Sequence, residues 1–421
     1  MDSANPIPFT SSDSSLHADA VSDLPADAND GSGRAKPGSA QARPRASLGE
    51  LARVFLKLGT VAFGGPAAHV AMMRDEVVAR RRWMSDEAFL DYLGATNLIP
   101  GPNSTELAIH VGQDQAGWRG LLVAGACFIL PAAFLATAAA WAYVRFGSLP
   151  RAAGLLYGVK PVVIAVVAQA LWSLGRTALR DRWLVAVAVG ALAALALGTD
   201  ELAVLALAGA VCAARHGVRA RESDAAAGAG AFALPLSGGL AAAGTAGGAG
   251  LWALFGVFLK IGSVLFGSGY VLLAFLRADL VQRLHWITER QLIDAVAVGQ
   301  VTPGPVFTTA TFVGYLVAGG PGAAVATLGI FLPAFVFVAL SARLLPRLRR
   351  SPAAGAVLDG VNAASLALMA AVTAQLARAA LVDAWTVALA VLAALLLLRF
   401  RVNSAWLVLG GAALGLLLAG R

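Results

Sequence analysis

The chain has 421 residues, of which 58% are hydrophobic and only 13% charged, and its mean hydropathy is +0.73. Soluble domains carry about 25% charged residues, so this composition excludes a soluble globular protein, and the lack of short alternating segments excludes a transmembrane barrel. The formal charge of +8 does not argue for nucleic acid, because the Arg residues sit in short loops between apolar runs. There they act as topology signals and as contacts for anionic membrane lipid.

Residues 1–46 are rich in Ser, Asp, Ala, Gly and Pro and contain no apolar run, the composition of a disordered tail. Acidic residues throughout and the lack of a hydrophobic region exclude a signal peptide. The first apolar stretch begins near Leu51 and carries Lys57, Phe63-Gly64-Gly65-Pro66 and Arg74; Arg80-Arg81-Arg82 and the short segment Ser85 to Leu98 follow. Then Asn97-Leu98-Ile99-Pro100-Gly101-Pro102-Asn103-Ser104-Thr105 interrupts the apolar sequence. Beyond Gly112 come segments at 118–145, 153–175, 183–198 and 201–214, each near or a little below the ~20 residues that span a bilayer. Arg215 to Arg221 closes a first half, residues 47–221. Residues 222–250 are Ala/Gly-rich and suggest a flexible linker, with a weak extra span as the alternative.

The second half, residues 251–421, repeats the first. Phe55-Leu56-Lys57-Leu58-Gly59 returns as Phe258-Leu259-Lys260-Ile261-Gly262, and Gly64-Gly65-Pro66 as Gly267-Ser268-Gly269. Arg74 matches Arg277, Trp83 matches Trp286, and Asp91 matches Asp294. The broken stretch returns as Gln300-Val301-Thr302-Pro303-Gly304-Pro305-Val306-Phe307-Thr308-Thr309. The register then slips by one, so that Gly112 matches Gly314, Pro131 matches Pro333, and Trp183 matches Trp385. Loop charges set the relative orientation. Asp200-Glu201 faces Arg399 and Arg401 in its counterpart; Arg176, Arg180 and Arg182 face Arg378 with Asp383; Arg145 and Arg151 face Arg343, Arg347, Arg349 and Arg350. All three comparisons alternate as the positive-inside rule requires for opposite orientations. The expected fold is an all-α polytopic membrane protein of two inverted-topology repeats with broken or re-entrant helices. Arg215–Arg221 and Arg343–Arg350 are expected in the cytoplasm and the C-terminus outside; the side of the N-terminus depends on whether residues 51–80 cross or form a hairpin.

Inverted repeats with breaks in matching positions point to a transporter site near the midplane. The first turn after Pro102 or Pro305 has N–H groups without intrahelical partners, carrying about half a positive charge, and such an end attracts anions. Asn97, Asn103, Ser104 and Thr105 in one copy, and Gln300, Thr308 and Thr309 in the other, add polar groups; Asn103 and Ser104 also suit helix capping. The glycine breaks act as kinks, as close helix contacts, or as further ligand-lining helix ends. Lys57 with Lys260, and Arg74 with Arg277, are cations in apolar sequence at equivalent places. Burying such a group at a helix centre costs at least ~2.5–3.5 kcal/mol, so the lysines are expected to supply charge to a doubly charged oxyanion. Arg74 and Arg277 suit gating or snorkelling, with Asp75 or Glu76 as partners for Arg74. Glu106 suits proton coupling or gating, or simply complements a helix N-terminus. His69 and His110, unmatched in the second half, and Cys127 and Cys212 are expected to pack.

No Walker A loop, metal-ligand cluster or HExxH occurs, so no cofactor, resident metal or enzymatic activity is expected and transport must run on gradients. Two uncompensated negative charges moving outward gain about 4–5 kcal/mol per 100 mV, so a dianion needs no other driver for export. The sequence Phe-Leu-Lys-Leu-Gly at Phe55–Gly59 with Phe63-Gly64-Gly65-Pro66, then Leu98-Ile99-Pro100-Gly101-Pro102, then Phe331-Leu332-Pro333-Ala334-Phe335, resembles the chromate ion transporter (CHR) family in its long, two-domain form. The resemblance spans about residues 50–420. It implies a bacterial inner-membrane carrier that exports chromate and confers chromate resistance, with sulfate as the isostere. A sulfate or other anion carrier or exchanger and an anion channel are the alternatives, and the oligomeric state, a homodimer among the options, stays open. Because Val306-Phe307 replaces Asn103-Ser104, a lopsided site is expected.

Overall fold

The structure, a computed structural model, describes residues 45–62, 65–146, 150–223, 250–266, 271–349, 352–400, 402 and 404–419. The tail, most of the 222–250 linker, Gly64 and Gly267-Ser268-Gly269 lie outside the described residues. Among those described, all regular structure is helical. The first repeat holds α1 (Leu48–Val61), α2 (Gly65–Arg74), a π-helical turn (Asp75–Arg80), α3 (Asp86–Thr96), α4 (Asn103–Phe146), α5 (Pro150–Ala178), α6 (Arg182–Ala196) and α7 (Glu201–Ser223). The second holds α8 (Leu251–Val264), α9 (Leu272–Leu276), a π-helical turn (Arg277–Arg283), α10 (Glu289–Val301), a short 3-10 turn (Val306–Thr308), α11 (Thr309–Arg349), α12 (Pro352–Ala380), α13 (Ala384–Phe400) and α14 (Ser404–Ala419). Among the described residues, four stretches are long and apolar enough to cross a membrane: Asn103–Phe146, Gly154–Ala178, Val306–Ser341 and Pro352–Ala380. Phe134, Trp172, Trp406 and many leucines stand exposed, as an outer surface facing lipid rather than water requires.

The N-terminal segment folds back on itself. Ser47 starts α1 with a capping box, its hydroxyl accepting from Glu50 N–H while the Glu50 carboxylate accepts from the Ser47 N–H, which satisfies otherwise orphaned donors. Lys57 of α1 pairs with Glu76 at 3.2 Å, and Leu51 and Phe55 share one buried cluster with Val77, Trp83 and Phe89. These contacts require the chain to have turned back, so residues 48–62 and 65–80 pair as a hairpin. A second hairpin follows. Tyr92 of α3 stacks on His110 of α4 at 5.3 Å and donates to Asp114 at 2.9 Å. Gln115 donates to the carbonyl of Trp83 at 3.2 Å and accepts from the N–H of Ala46. The entry of α1, the loop at Trp83 and the end of this arm therefore lie on one side.

Ala116 (φ −138°, ψ 25°) and Gly117 (φ 60°, ψ −146°) then reverse the chain inside α4, and Gly112 and Gly120 pack carbonyl to Cα across the turn. Ala318 (φ −144°, ψ 28°) and Gly319 (φ 62°, ψ −152°) do the same in α11, with Gly314 against Gly322. The positive φ explains the glycine at each turn. The arm before the turn, 103–115, is about 20 Å long at 1.5 Å per residue, too short for a core about 30 Å thick; the arm after it is long enough.

Equivalent helices run antiparallel. Tyr157, near the start of α5, donates to Asp383 after the end of α12 at 2.6 Å, while Arg180 after the end of α5 pairs with Asp359 near the start of α12. Gly158 and Gly154 of α5 pack against Gly411 and Gly415 of α14, and in the other repeat Gly360 of α12 packs against Ala208 of α7. The repeats are thus related by a two-fold axis across the helices, the inverted arrangement that the loop charges suggested. We expect Gly158→Val, which pushes a side chain into the backbone of α14, to lower the unfolding temperature in detergent by a few degrees, since overpacking costs about 1–3 kcal/mol. Gly190→Val, with open space around that position, leaves it unmoved.

Candidate functional site

Each Pro-Gly-Pro break bonds to the opposite repeat. Gly101 donates its N–H to the carbonyl of Leu265 at 2.8 Å, and Gly304 donates to the carbonyl of Ala62 at 2.9 Å. Leu265 and Ala62 are the residues just past the ends of α8 and α1, where helices leave carbonyls unpaired. Each break therefore caps the broken helix of the opposite repeat, and the two bonds are exchanged by the two-fold axis. The approach is close: a Cβ on Gly304 would sit 3.1 Å from the carbonyl oxygen of Gly59 and 2.9 Å from the Cβ of Ala132. The negative ends of α1 and α8 and the positive ends of α4 and α11 converge there.

The polar residues of the two breaks differ in what they do. In the first, Asn103 donates to Asn97 at 2.8 Å, and Ser104 lies 3.4 Å from Nδ1 of His69. Nε2 of His69 lies 3.1 Å from the Ala62 carbonyl; a carbonyl only accepts, so Nε2 carries the hydrogen and Nδ1 accepts from Ser104. Thr105 and Glu106 are fully buried. In the second, the hydroxyl of Thr308 donates to the Pro305 carbonyl and that of Thr309 to the Val306 carbonyl, both at 2.8 Å. Gln300 is buried and lines a tight pocket with Val306, Thr309 and Val167 of α5. Pro100, Pro102, Pro303 and Pro305 keep the breaks out of helical pairing. Gly65 and Pro66 open α2, whose His69 reaches Ser104 of the first break.

The repeat-matched cations are paired. Glu76 holds Lys57 at 3.2 Å and Arg81 at 3.2 Å, with Arg80 at 3.9 Å shared with Asp75. Asp279 holds Lys260 at 2.9 Å and Arg283 at 3.0 Å. Each cluster has one more cation than carboxylates, so each keeps a net positive charge. Arg74 pairs with Asp86 at 2.6 Å, and Arg277 pairs with Glu289, fastening each first hairpin to the helix that follows. Arg74 thus takes Asp86 rather than Asp75 or Glu76. Arg277 also lines a wide polar cleft with Asp200, Glu201, Gln282 and Gln375.

Three residues that the sequence comparison passed over belong near the centre. His69 is one. The others are Lys160 and Tyr143, which reach from α5 and α4 to Asp294 of α10: Lys160 lies 3.2 Å from its carboxylate and Tyr143 donates at 2.9 Å. Asp294 is fully buried and Lys160 is 15% exposed. Among the described residues this is the only buried ion pair between the two repeats. It stands at one of the two symmetric positions, since Asn362 and Leu345 replace Lys160 and Tyr143 in the other.

Comparison with known proteins bears on this architecture. A family model described as chromate transporter matches residues 49–214 and 252–416. A chromate transport protein of Cupriavidus metallidurans is 35% identical over 387 residues, covering 90% of this chain and 94% of the relative. One of Pseudomonas aeruginosa is 36% identical, over 83% of this chain and 86% of the relative. A probable chromate transport protein of Synechococcus elongatus is 31% identical, over 81% and 87%. No solved structure matches.

Removing one partner of the buried pair leaves the other charge unpaired, at a cost of about 3–5 kcal/mol. We expect Lys160→Ala to lower the unfolding temperature in detergent markedly. Lys160→Met combined with Asp294→Leu recovers most of the loss, because an apolar pair of similar volume needs no partner.

Proposed function

The chain belongs to the chromate transporter family, and on that premise we propose that it exports chromate, a tetrahedral oxyanion dianion, across a bacterial inner membrane as a secondary transporter, and so confers chromate resistance. Membership in a transporter family supports transport rather than an enzymatic reaction. The observation that carries the proposal is the reciprocal capping of the two breaks, Gly101 to Leu265 and Gly304 to Ala62. It fixes the helix start after each break against the opposite repeat, and at the second, which carries no acidic residue, oriented N–H groups favour an anion. It also ties that place to both repeats, so rocking one repeat against the other changes the access while the site stays whole.

The other parts take their roles from position. Gln300 and the first turn after Pro305 supply donors. Asn97, Asn103, Ser104 and Thr105, with Gly101, Pro100 and Pro102, form the facing wall. Lys57 and Lys260, in clusters with one excess positive charge each, draw a dianion toward the two mouths, one on either side of the membrane. The entry of α1, Arg80–Arg82, Arg215 and Arg343–Arg350 face the cytoplasm, which puts the C-terminus outside. With this orientation the inside-negative potential drives a dianion outward by about 4–5 kcal/mol per 100 mV. Sulfate has the same shape and charge and competes.

Reconstituted in liposomes at a set potential, the protein is expected to give saturable efflux of chromate that sulfate inhibits. Gln300→Leu removes a hydrogen bond to a charged group, worth about 1.5–3 kcal/mol, and is expected to weaken half-saturation by about ten- to a hundredfold. Unsaturable currents far above carrier rates would instead identify a channel, and unchanged affinity in Gln300→Leu would remove this residue from the site.

A further inference from the structure

We propose that the first break is a monovalent-cation site, for a proton or a sodium ion, coupled to anion movement at the second. The proposal rests on the transport reading above and assigns the two breaks different ligands. At the first break, the buried side-chain atoms without a hydrogen-bond partner are Asn103 Oδ1, Thr105 Oγ1 and both carboxyl oxygens of Glu106. Three are pure acceptors and the fourth is a hydroxyl oxygen. All lie within one turn of α4. Glu106 is fully buried and turns back so that its Oε1 rests against Gly101. The protein's own carboxyl thus occupies the helix start that a free anion would use. A second anion there would meet like charge, whereas a cation meets oxygens that have nothing to accept.

The second break is its chemical opposite. Val306, Thr308 and Thr309 stand where the first has Asn103, Thr105 and Glu106, and both hydroxyls are spent on backbone carbonyls. The unpartnered buried atom there is a donor, Nε2 of Gln300, on a residue that lines the pocket with Val306 and Thr309. Ionisable neighbours of Glu106 are few. His69 on α2 is bonded to Ser104 and Ala62; on α3, Tyr92 stacks on His110 of α4, and Asp91 is exposed. Facing from the other repeat, α11 carries no Asp, Glu, Lys, Arg or His between Thr309 and Ser341. The Lys160–Asp294 pair lies against the far arm of α4, beside Tyr143. Because His69 and the Ala62 carbonyl link Ser104 of the first break to Gly304 of the second, charge at one changes affinity at the other. A cation on Glu106 lowers the repulsion a dianion feels and is held more tightly when the dianion is present, a reciprocal coupling.

The test uses the full chain in liposomes with labelled sulfate and the voltage clamped at zero. Exchange of labelled for unlabelled sulfate reports anion transport alone. Uphill accumulation under an imposed pH gradient, and separately under a sodium gradient, reports cation coupling and says which cation. The unaltered protein is expected to accumulate sulfate under one of the two gradients. In Glu106→Gln the ratio of accumulation to exchange falls at least tenfold. If Glu106→Gln does not exchange, Glu106→Asp is read instead, and its cation concentration for half-maximal accumulation shifts at least threefold. An unchanged ratio in Glu106→Gln, an unchanged half-maximal concentration in Glu106→Asp, or exchange by the unaltered protein with accumulation under neither gradient overturns the cation site alone. No exchange by the unaltered protein, with labelled chromate as well as with sulfate, overturns the transport reading and the cation site with it.

Discussion

A backbone that leaves the helix at membrane depth must find partners for its polar groups inside the protein. The structure meets that constraint with two hydrogen bonds, from Gly101 to Leu265 and from Gly304 to Ala62. Neither repeat can close its own break. The carbonyl that satisfies each Pro-Gly-Pro turn belongs to the broken helix of the other repeat, so the inverted relationship is needed for the breaks to exist at all. The rest follows from bringing the helix ends to that point. The re-entrant hairpins deliver α1 and α8 from opposite sides, the turns at Gly117 and Gly319 return α4 and α11 as full spans, and α5 and α12 pack antiparallel behind them.

Much of this was legible in the sequence because duplication doubles the signal. The matched breaks, the matched lysines and the alternating loop charges each appear twice, and together they led to two inverted halves before any contact was known. The hairpin of residues 48–80 was not legible. Its evidence is the pairing of Lys57 with Glu76, repeated in the second half by Lys260 with Asp279, partners on separate helical segments that no helical periodicity connects. The same pairs explain why the lysines looked like free intramembrane cations when only the sequence around them was read.

The reliance on symmetry also hid residues. Lys160 and Tyr143 match Asn362 and Leu345, so a search for repeated chemistry discards them, although they build the buried ion pair that joins the repeats. His69 was set aside for the same reason and turns out to bridge Ala62 and Ser104 at the first break. The lopsidedness expected from Asn103 and Ser104 extends further than those two residues. A symmetric frame positions the helix ends, and asymmetric side chains give each end a different chemistry, with a carboxyl in one break and an amide donor in the other. Such a division is consistent with a carrier, in which two ligands must sense one another across a short distance.

The central claim is that the dianion is held at the second Pro-Gly-Pro break. It is tested most directly by an experimental structure with chromate bound, located by the anomalous scattering of chromium. The account predicts one chromium peak beside the second break, with chromate oxygens within hydrogen-bonding distance of Gln300 Nε2 and the first-turn N–H groups after Pro305. A peak confined to the Lys57–Glu76 or Lys260–Asp279 clusters, with none at the breaks, would contradict it.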